Sequence, residues 1–360
     1  MQKYDVIIIG GGIIGSSIAY ELVKRRKKVL LLERNRLASE ASGAAAGMLA
    51  AQVEMGLNVG PLFELALKSR ALYPKLADEL REISGIDIGF VNKGMLQVAR
   101  TQSEKAEYEE ILNVQQALGQ QLEIREEGLF VPEDGQVDAP SLSLAYAKSA
   151  QILGADIREY ADVQGFLFEE GRLVGVKTMT EDFYSEQVVV AAGAWSEVLL
   201  NQTGISIPSY PVKGECFSVI ANKPLLETTL FSHGCYIVPK KGNRLLVGAT
   251  ATTGTFDKRV KYESIRSLME KAKELLPAIE DTEWEKAWAG IRPQTKDGLP
   301  YLGLHPKYRN LAVATGHYRN GILLSAITGP LIADLLDGKE VGVDLAPFAI
   351  ERNDKNEFNH

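Results

Sequence analysis

The chain has 360 residues, 45% of them hydrophobic, with 40 Lys and Arg against 47 Asp and Glu, which gives a formal net charge of −7. A globular chain of this length usually forms about two domains. The negative charge disfavours nucleic acid as a partner, because proteins that bind it across their surface are usually basic. The two cysteines, Cys216 and Cys235, are too few for a disulfide framework and favour a reducing compartment.

Several classes of site lack their sequence signals. Paired Cys-x-x-Cys and His-x-x-x-His spacings are absent from the sequence, so we expect no metal site. The sequence also lacks the Gly-x-Ser-x-Gly turn of serine hydrolases and the phosphate-binding loop of ATPases. It contains no uninterrupted apolar run of about 18 residues, and the apolar run at residues 6–9 is too short for a signal peptide. We therefore expect a cytoplasmic protein that does not act in a membrane.

The first 51 residues predict a βαβ unit followed by an irregular segment. Residues 4–9 form a short β-branched run that ends in glycines, and residues 13–26 have helical periodicity. Residues 28–32 form a second apolar run, which ends at Glu33. Ala, Ser and Gly then dominate residues 38–51, and such small residues let a ligand approach the backbone closely.

The remaining elements are predicted from periodicity and from flanking residues. Helices are predicted over residues 61–84, from the capping box of Thr101 and Glu104 onwards, and over residues 141–153, 262–276 and 320–336. Strands are predicted over residues 87–99, 163–168, 173–178, 187–191, 212–220, 236–239, 244–249 and 311–315. We expect a kink or a break at Pro330, because proline lacks the amide hydrogen that a helix interior needs. The sequence contains no internal repeat or low-complexity linker, so interleaved domains are expected.

Residues 10–15, Gly-Gly-Gly-Ile-Ile-Gly, lie between the first strand and the first helix. In this pattern Gly10 permits the tight turn, Gly12 lets the backbone approach a pyrophosphate, and Gly15 allows close packing of helix on strand. The amides that start the helix favour phosphate. Glu33 ends the second strand, where a carboxylate accepts hydrogen bonds from ribose and disfavours the 2′-phosphate of NADP. These features predict dinucleotide binding.

The choice between NAD and FAD depends on three separated segments. They are the small residues after Glu33 and the strand ends at residues 188–193 and 312–316. FAD is long and needs contacts from distant segments, whereas NAD is usually held by one contiguous unit. Gly193 and Gly316 each also suit an ordinary turn at a strand end, but the three segments together favour FAD.

The chain resembles the D-amino-acid oxidase family of FAD-dependent oxidoreductases from Lys3 to about Phe348. The resemblance is carried by residues 10–20, 41–49, 211–218, 235–250, 288–303 and 316–324. It implies an α/β fold, in which a Rossmann-like FAD-binding domain is interleaved with a substrate domain built on an antiparallel β-sheet. The implied FAD-binding domain comprises residues 1–86, 136–205 and 292–350. The implied substrate-binding domain comprises residues 87–135 and 206–291, and residues 351–360 form a tail.

The resemblance also implies the residues of the site. Besides Gly10, Gly12, Gly15 and Gly193, those expected to contact FAD are Ile13, Ile14, Glu33, Arg34, Ala41, Ser42, Ala46, Gly47, Met48, Val163, His317, Tyr318, Arg319, Asn320, Gly321, Ile322 and Leu323. Those expected to bind substrate are Arg292, Arg319, Tyr236, Met48 and Ala251. Physical chemistry agrees for the arginines, because a planar guanidinium grips a carboxylate with two hydrogen bonds. No side chain is expected to act as a catalytic acid or base, since the flavin accepts the electrons. Cys216 and Cys235 match no position of covalent flavin attachment, so noncovalent FAD is expected.

By this resemblance we expect an FAD-dependent amine oxidase from the branch of the family that acts on glycine. It would deaminate glycine and small amines bearing a carboxylate, such as sarcosine and D-alanine, by hydride transfer from the α-carbon to flavin N5. Molecular oxygen would be reduced to hydrogen peroxide, and the imine would yield glyoxylate and ammonia or supply the thiazole of thiamine. Ala251 and Gly234 stand where relatives carry larger side chains, which leaves the preference among these amines open.

Two alternatives remain at this point. One is an FAD-dependent dehydrogenase of D-amino or 2-hydroxy acids that passes electrons to a quinone. The other is a flavin-binding assembly partner with an inactive pocket, which the combination of Arg292, Arg319 and Tyr236 disfavours. The resemblance also implies a homo-oligomer, specifically a homotetramer.

Overall fold

The computed structural model describes residues 3–352. Its α-helices are α1 (Ile13–Lys24), α2 (Ala41–Ala44), α3 (Pro61–Ser84), α4 (Gln102–Ala117), α5 (Ala139–Ile152), α6 (Ser196–Leu200), α7 (Tyr262–Leu275) and α8 (Gly321–Leu336). Its strands are β1 (Lys3–Ile9), β2 (Val29–Leu32), β3 (Met48–Leu49), β4 (Met95–Val98), β5 (Glu123–Arg125), β6 (Gly128–Val131), β7 (Gly135–Gln136), β8 (Asp156–Arg158), β9 (Val163–Glu169), β10 (Arg172–Thr178), β11 (Asp182–Val190), β12 (Ser209–Ile220), β13 (Thr229–Ser232), β14 (Cys235–Pro239), β15 (Arg244–Gly248), β16 (Thr252–Thr253), β17 (Glu283–Thr295), β18 (Tyr301–Leu304) and β19 (Leu311–Thr315).

An eight-stranded sheet carries the N-terminal βαβ unit. Its main order is β18–β19–β11–β1–β2–β8, and β10 and β9 continue from β11 as antiparallel strands. The strands from β19 to β8 run parallel, so their carboxyl ends meet at one edge. Side chains alternate along β1: Val6 and Ile8 join the core formed with α1, α3, α5 and α8, while Ile7 and Ile9 join the core on the opposite face. This edge of a parallel sheet is where such folds usually bind ligands.

A nine-stranded sheet lies beside the first. Its order is β16–β12–β15–β14–β13–β4–β6–β5, with β17 paired to β12. All its pairs are antiparallel except β13 with β4. Apolar residues of α7 pack on one face together with Phe217 and Val247. The opposite face presents Cys216, Tyr236 and Val238 towards Ala46, which lies in the segment between α2 and β3.

The chain crosses between the two sheets several times. Strands β3 and β7 form a separate antiparallel pair, and each lies in sequence between a strand of one sheet and a strand of the other. The mixed α/β architecture is therefore as predicted. Strand β17 continues through the proposed boundary between residues 291 and 292. The domain boundaries stay a proposal, and most of the proposed tail lies outside the described residues.

Most predicted elements are present close to their predicted ends, with three differences. The strand predicted over residues 87–99 is wrong in its length, because only Met95–Val98 pairs as a strand. The long strand β17 was not predicted, and neither were the short elements α2, α6, β3, β5, β6, β7, β8, β13, β16 and β18. Helix α8 continues through Pro330, so the alternative of a break is wrong. Residues on most sides of α8 are buried, and this packing outweighs the one backbone hydrogen bond that Pro330 cannot make.

Two further observations concern the helices. The capping box is present, since the Glu104 amide donates to Thr101 Oγ1 at 3.2 Å and the Thr101 amide donates to Glu104 Oε2 at 2.8 Å. Within residues 3–352, no helix combines the length and the hydropathy that a bilayer crossing requires.

Candidate functional site

The glycine turn after β1 forms one end of a cavity. Gly10 has a φ of +110°, and a Cβ at this position would lie 2.4 Å from the carbonyl oxygen of Ala191. A Cβ on Gly15 would lie 1.9 Å from the carbonyl oxygen of Gly10, so only glycine lets α1 pack this closely on β1. Gly12 at the N-cap supplies no side-chain cap, and the positive end of α1 faces the cavity.

Two side chains hold the backbone around this turn. Glu33 Oε2 accepts a hydrogen bond from the Gly11 amide at 2.7 Å, and Oε1 accepts one from the Asn35 amide at 2.8 Å. Ser42 Oγ accepts from the Ile13 amide at 2.9 Å. Each carboxylate oxygen of Glu33 keeps a lone pair for a further donor, such as a ribose hydroxyl. A helix start and an oriented carboxylate are the groups that a dinucleotide requires.

The cavity has a volume of about 530 Å³ and extends from the glycine turn to the nine-stranded sheet. Its lining includes residues 44–48, the segments that follow β11 and β19, and Val163. Gly47 has a φ of +82°, and a Cβ there would lie 2.0 Å from the carbonyl oxygen of Val137. The bare backbone along this path, with contributions from widely separated segments, fits FAD.

Arg292 lies at the end of the cavity formed by the nine-stranded sheet. A Cβ on Gly214 would lie 2.3 Å from both terminal nitrogens of Arg292, so the guanidinium lies directly over bare backbone. Arg292 Nη1 donates to the carbonyl oxygen of Thr250 at 3.1 Å. The Thr250 hydroxyl in turn accepts from the Glu215 amide at 2.9 Å and donates to Glu215 Oε2 at 3.2 Å. Glu215 thus acts through Thr250 as a positioning residue for Arg292.

Tyr236 lies beside Arg292 on the same face of the sheet. Its ring covers Gly248, where a Cβ would lie 2.5 Å from the Tyr236 hydroxyl oxygen. The hydroxyl lies 3.8 Å from Cys216 Sγ. Burial raises the pKa of Tyr236 well above its usual value, and it also raises the pKa of the Cys216 thiol. Both groups therefore stay protonated, and the Tyr236 hydroxyl keeps a proton to donate.

Arg319 lines the same end of the cavity but is paired with an acid. Its Nε lies 2.9 Å from Glu54 Oε2, and its Nη2 donates to Glu54 Oε1 at 2.9 Å. The Glu54 side chain is 8% exposed, and Arg319 is 40% exposed towards the cavity. The charge of Glu54 raises the pKa of Arg319 further. The structure therefore pairs Arg319, which the sequence predicts to bind the substrate carboxylate, with an acid of the protein itself.

The remaining cavity wall combines an aromatic ring with a neutral imidazole. Arg34 lies over the ring of Trp195, with Cζ 4.3 Å from the ring centroid. His317 Nε2 lies 3.2 Å from Thr328 Oγ1. Burial lowers the pKa of His317 to about 3, so the ring is neutral at neutral pH.

The cavity brings together the predicted site residues with two exceptions. Gly15 does not line it and instead packs beneath the turn. Leu323 is 1% exposed and points into the core formed by the helices. Glu54 and Trp195 line the cavity but were not predicted. Trp195 lies two residues after Gly193 at a strand end, and this position could have indicated that it lies near the cofactor. Glu54 lies in a turn, and no sequence motif marks it. The roles of all these residues as cofactor or substrate ligands stay predictions.

Comparison with known proteins gives the family. A family model described as FAD dependent oxidoreductase matches residues 5–335. The glycine oxidase of Geobacillus kaustophilus (strain HTA426) is 48% identical over 98% of this chain and 98% of its own length. The crystal structure of glycine oxidase from Geobacillus kaustophilus superimposes with a TM-score of 0.94 over 98% of this chain and 99% of its own. The bifunctional protein ThiO/ThiG of Synechocystis sp. is 36% identical over 97% of this chain and 54% of its own length.

The chain belongs to this family of FAD-dependent oxidoreductases. The matches confirm the predicted family, the FAD cofactor, the fold class and an FAD-dependent amine oxidase. The exact substrate, the electron acceptor and the homotetramer stay predictions.

Proposed function

We propose that this enzyme oxidises the amine of glycine and of small amines bearing one carboxylate, including sarcosine and D-alanine. The observation that carries the proposal is the state of Arg292. Its guanidinium lines the cavity, and within residues 3–352 no carboxylate lies within 4.0 Å of it. A guanidinium in a cavity wall that has no acidic partner favours binding of an anion, and its planar pair of N–H donors suits a carboxylate.

Tyr236 supports the same assignment. Its protonated hydroxyl lies at the cavity surface near Arg292 and supplies a second donor to an anionic ligand. Two donors fix a carboxylate in orientation as well as in position, and orientation of the neighbouring α-carbon is a large part of the catalysis. When bound, FAD supplies the two-electron acceptor for the oxidation.

The products follow from this chemistry. Loss of two electrons and two protons converts the amine to an imine, which water hydrolyses to glyoxylate and ammonia when the substrate is glycine. Oxygen is the proposed electron acceptor, and hydrogen peroxide is its product. We further propose, from the likeness to the bifunctional protein ThiO/ThiG, that the imine supplies the thiazole of thiamine. Cells that lack this chain should then need thiamine, and an Arg292→Ala gene should fail to restore growth without it.

The first experiment is anaerobic reduction of the purified flavoprotein, followed by its visible spectrum. Glycine, sarcosine or D-alanine should bleach the flavin band, whereas lactate should not. Bleaching by lactate alone would show that the substrate is a hydroxy acid rather than an amine. Absence of bleaching by any amine would refute the proposal. In air, one peroxide per substrate distinguishes an oxidase from a dehydrogenase that requires a quinone.

A pair of arginine variants tests the site itself. Arg292→Ala should weaken binding of the transition state by about 2–5 kcal/mol, and kcat/KM for glycine should fall accordingly. Arg309 is exposed and does not line the cavity, so Arg309→Ala is the matched control and should retain wild-type kinetics. Equal kinetics in the two variants would remove Arg292 from the site.

A further inference from the structure

Three charged side chains, Glu54, Arg292 and Arg319, surround the Tyr236 end of the cavity. The positive charges of both arginines act on the Tyr236 hydroxyl, which places them in one electrostatic environment. Of these two arginines, Arg319 alone has an acidic partner within residues 3–352. The formal charge of this group is therefore +1 rather than +2, because Glu54 cancels one arginine.

The Glu54–Arg319 pair has the geometry of a fixed, two-point contact. Glu54 occupies the edge formed by Nε and Nη2, at 2.9 Å for each contact. Nη1 has no hydrogen-bond partner within residues 3–352 and is available to donate to a ligand. Because the Glu54 side chain is only 8% exposed, its carboxylate depends on Arg319 for compensation. The two residues thus stabilise each other's charge.

The turn that carries Glu54 is itself rigidly held. Asp134 is fully buried and accepts the backbone amides of Gln52 and Val53, at 3.1 and 2.9 Å for Oδ2. Arg70 Nη1 donates to Asp134 Oδ1 at 2.6 Å and to Gln52 Oε1 at 2.7 Å. This buried polar network fixes the backbone that immediately precedes Glu54. The ion pair is therefore part of the framework of the site and not a chance contact of two surface side chains.

We propose that Glu54 is a specificity-determining residue: by neutralising Arg319, it limits the cavity to ligands with a single carboxylate and excludes amines that carry a second anionic group. One carboxylate on Arg292 matches the net charge of +1. A dianion would leave one negative charge uncompensated in a largely buried site, which is unfavourable. Removal of the Glu54 charge raises the net charge to +2 and creates a second site for a carboxylate at Arg319.

The inference rests on the proposed function, because it takes Arg292 as the ligand of the substrate carboxylate. Its test therefore measures binding without turnover. Acetate and malonate differ only by a second carboxylate, and both are fully ionised at about pH 8. Their Kd values are obtained from the change in the visible spectrum of the flavin-loaded enzyme. Sarcosine and iminodiacetate form the corresponding pair for kcat/KM, since iminodiacetate is sarcosine with a carboxylate added to its methyl group.

The variants are Glu54→Gln, Arg319→Gln and the double variant. Glu285→Gln is the matched control, because Glu285 also contacts Nε and Nη2 of an arginine, Arg244, but lies outside the cavity lining. In Glu54→Gln, the ratio of malonate Kd to acetate Kd should fall by about tenfold or more, and kcat/KM for iminodiacetate relative to sarcosine should rise similarly. The double variant should lose this gain, and Glu285→Gln should keep the wild-type ratio.

Arg319→Gln tests the same charge balance in the opposite direction and does not depend on the folding of Glu54→Gln. It leaves Glu54 uncompensated, so acetate should bind about tenfold more weakly than to the wild type. The inference is overturned if Glu54→Gln keeps the wild-type ratio, if the double variant keeps the gain, or if the wild type does not bind acetate. A shifted binding ratio without oxidation of any amine would instead refute the proposed function alone.

Discussion

Replacement of Gly214 by alanine should displace Arg292 without unfolding the protein. A Cβ at Gly214 would lie 2.3 Å from each terminal nitrogen and 2.4 Å from Cζ of the guanidinium. Ordinary contacts between such atoms are about 3.5 Å, so the guanidinium must move by about 1 Å. The backbone of Gly214 lies outside the positive-φ region, and the displaced group is the end of a flexible side chain. The added methyl group therefore displaces the Arg292 guanidinium and does not strain the backbone.

A displacement of this size at a substrate-orienting group costs about a hundredfold in rate, equivalent to about 3 kcal/mol. Gly214→Ala should lower kcat/KM for glycine by that factor and raise the acetate Kd, while Tm stays within a few degrees of wild type. Gly303→Ala is the matched control, because it also adds one methyl group to a strand but meets nothing within 4 Å. If Gly214→Ala retains the kinetics and acetate affinity of Gly303→Ala, the assignment of Arg292 as the carboxylate ligand is refuted.

Three further predictions concern folding and pH. Gly15→Ala should destabilise the protein by about 1–3 kcal/mol or more and weaken FAD binding, because its Cβ would lie 1.9 Å from the Gly10 carbonyl oxygen. Denaturation curves and flavin titration will check this prediction. An unchanged FAD affinity would contradict it. Asp134→Asn should lower the free energy of unfolding by about 1–3 kcal/mol, since Arg70 loses a charged partner at 2.6 Å; an effect below about 0.5 kcal/mol in urea denaturation would show that the network contributes little. The folded-state pKa of His317 is lowered to about 3 from an unfolded value of 6.5, so the unfolded chain binds the extra proton between these values and stability should rise with pH across that window. His317→Gln should reduce the slope of unfolding free energy against pH by up to about 1.4 kcal/mol per pH unit there, and an unchanged slope would contradict the burial argument.

The nucleotide end of the site could be predicted from sequence because its determinants are local. The glycine turn and Glu33 lie within one βαβ unit, and their spacing follows from the geometry of a strand, a helix and a second strand. The capping box at Thr101 is equally local. Such features depend on neighbours a few residues away, which a sequence displays directly.

The substrate end depends on distant partners and was harder to predict. Glu54 and Arg319 are 265 positions apart, and no periodicity or motif relates them. Arg292 was recognised by resemblance, but its strand was missed, because charged and aromatic residues alternate irregularly with small ones over residues 283–289. Its long pairing with β12, from Ser209 with Thr295 to Ile220 with Glu283, defines the strand only in three dimensions.

The order of strands in the eight-stranded sheet also determines when this enzyme can acquire its cofactor. Strand β1 is among the first segments to be synthesised, but its neighbour β11 ends at Val190, and β19 adds to β11 only after Thr315 has been made. The wall of the cavity at residues 316–322 follows later still. Folding during translation proceeds from the N-terminus, so the βαβ unit must wait for nearly the whole chain before it has a complete binding cavity. We therefore expect flavin to bind late in synthesis, because a ribosome-bound fragment that ends before β19 has the glycine turn but lacks the far wall of the cavity.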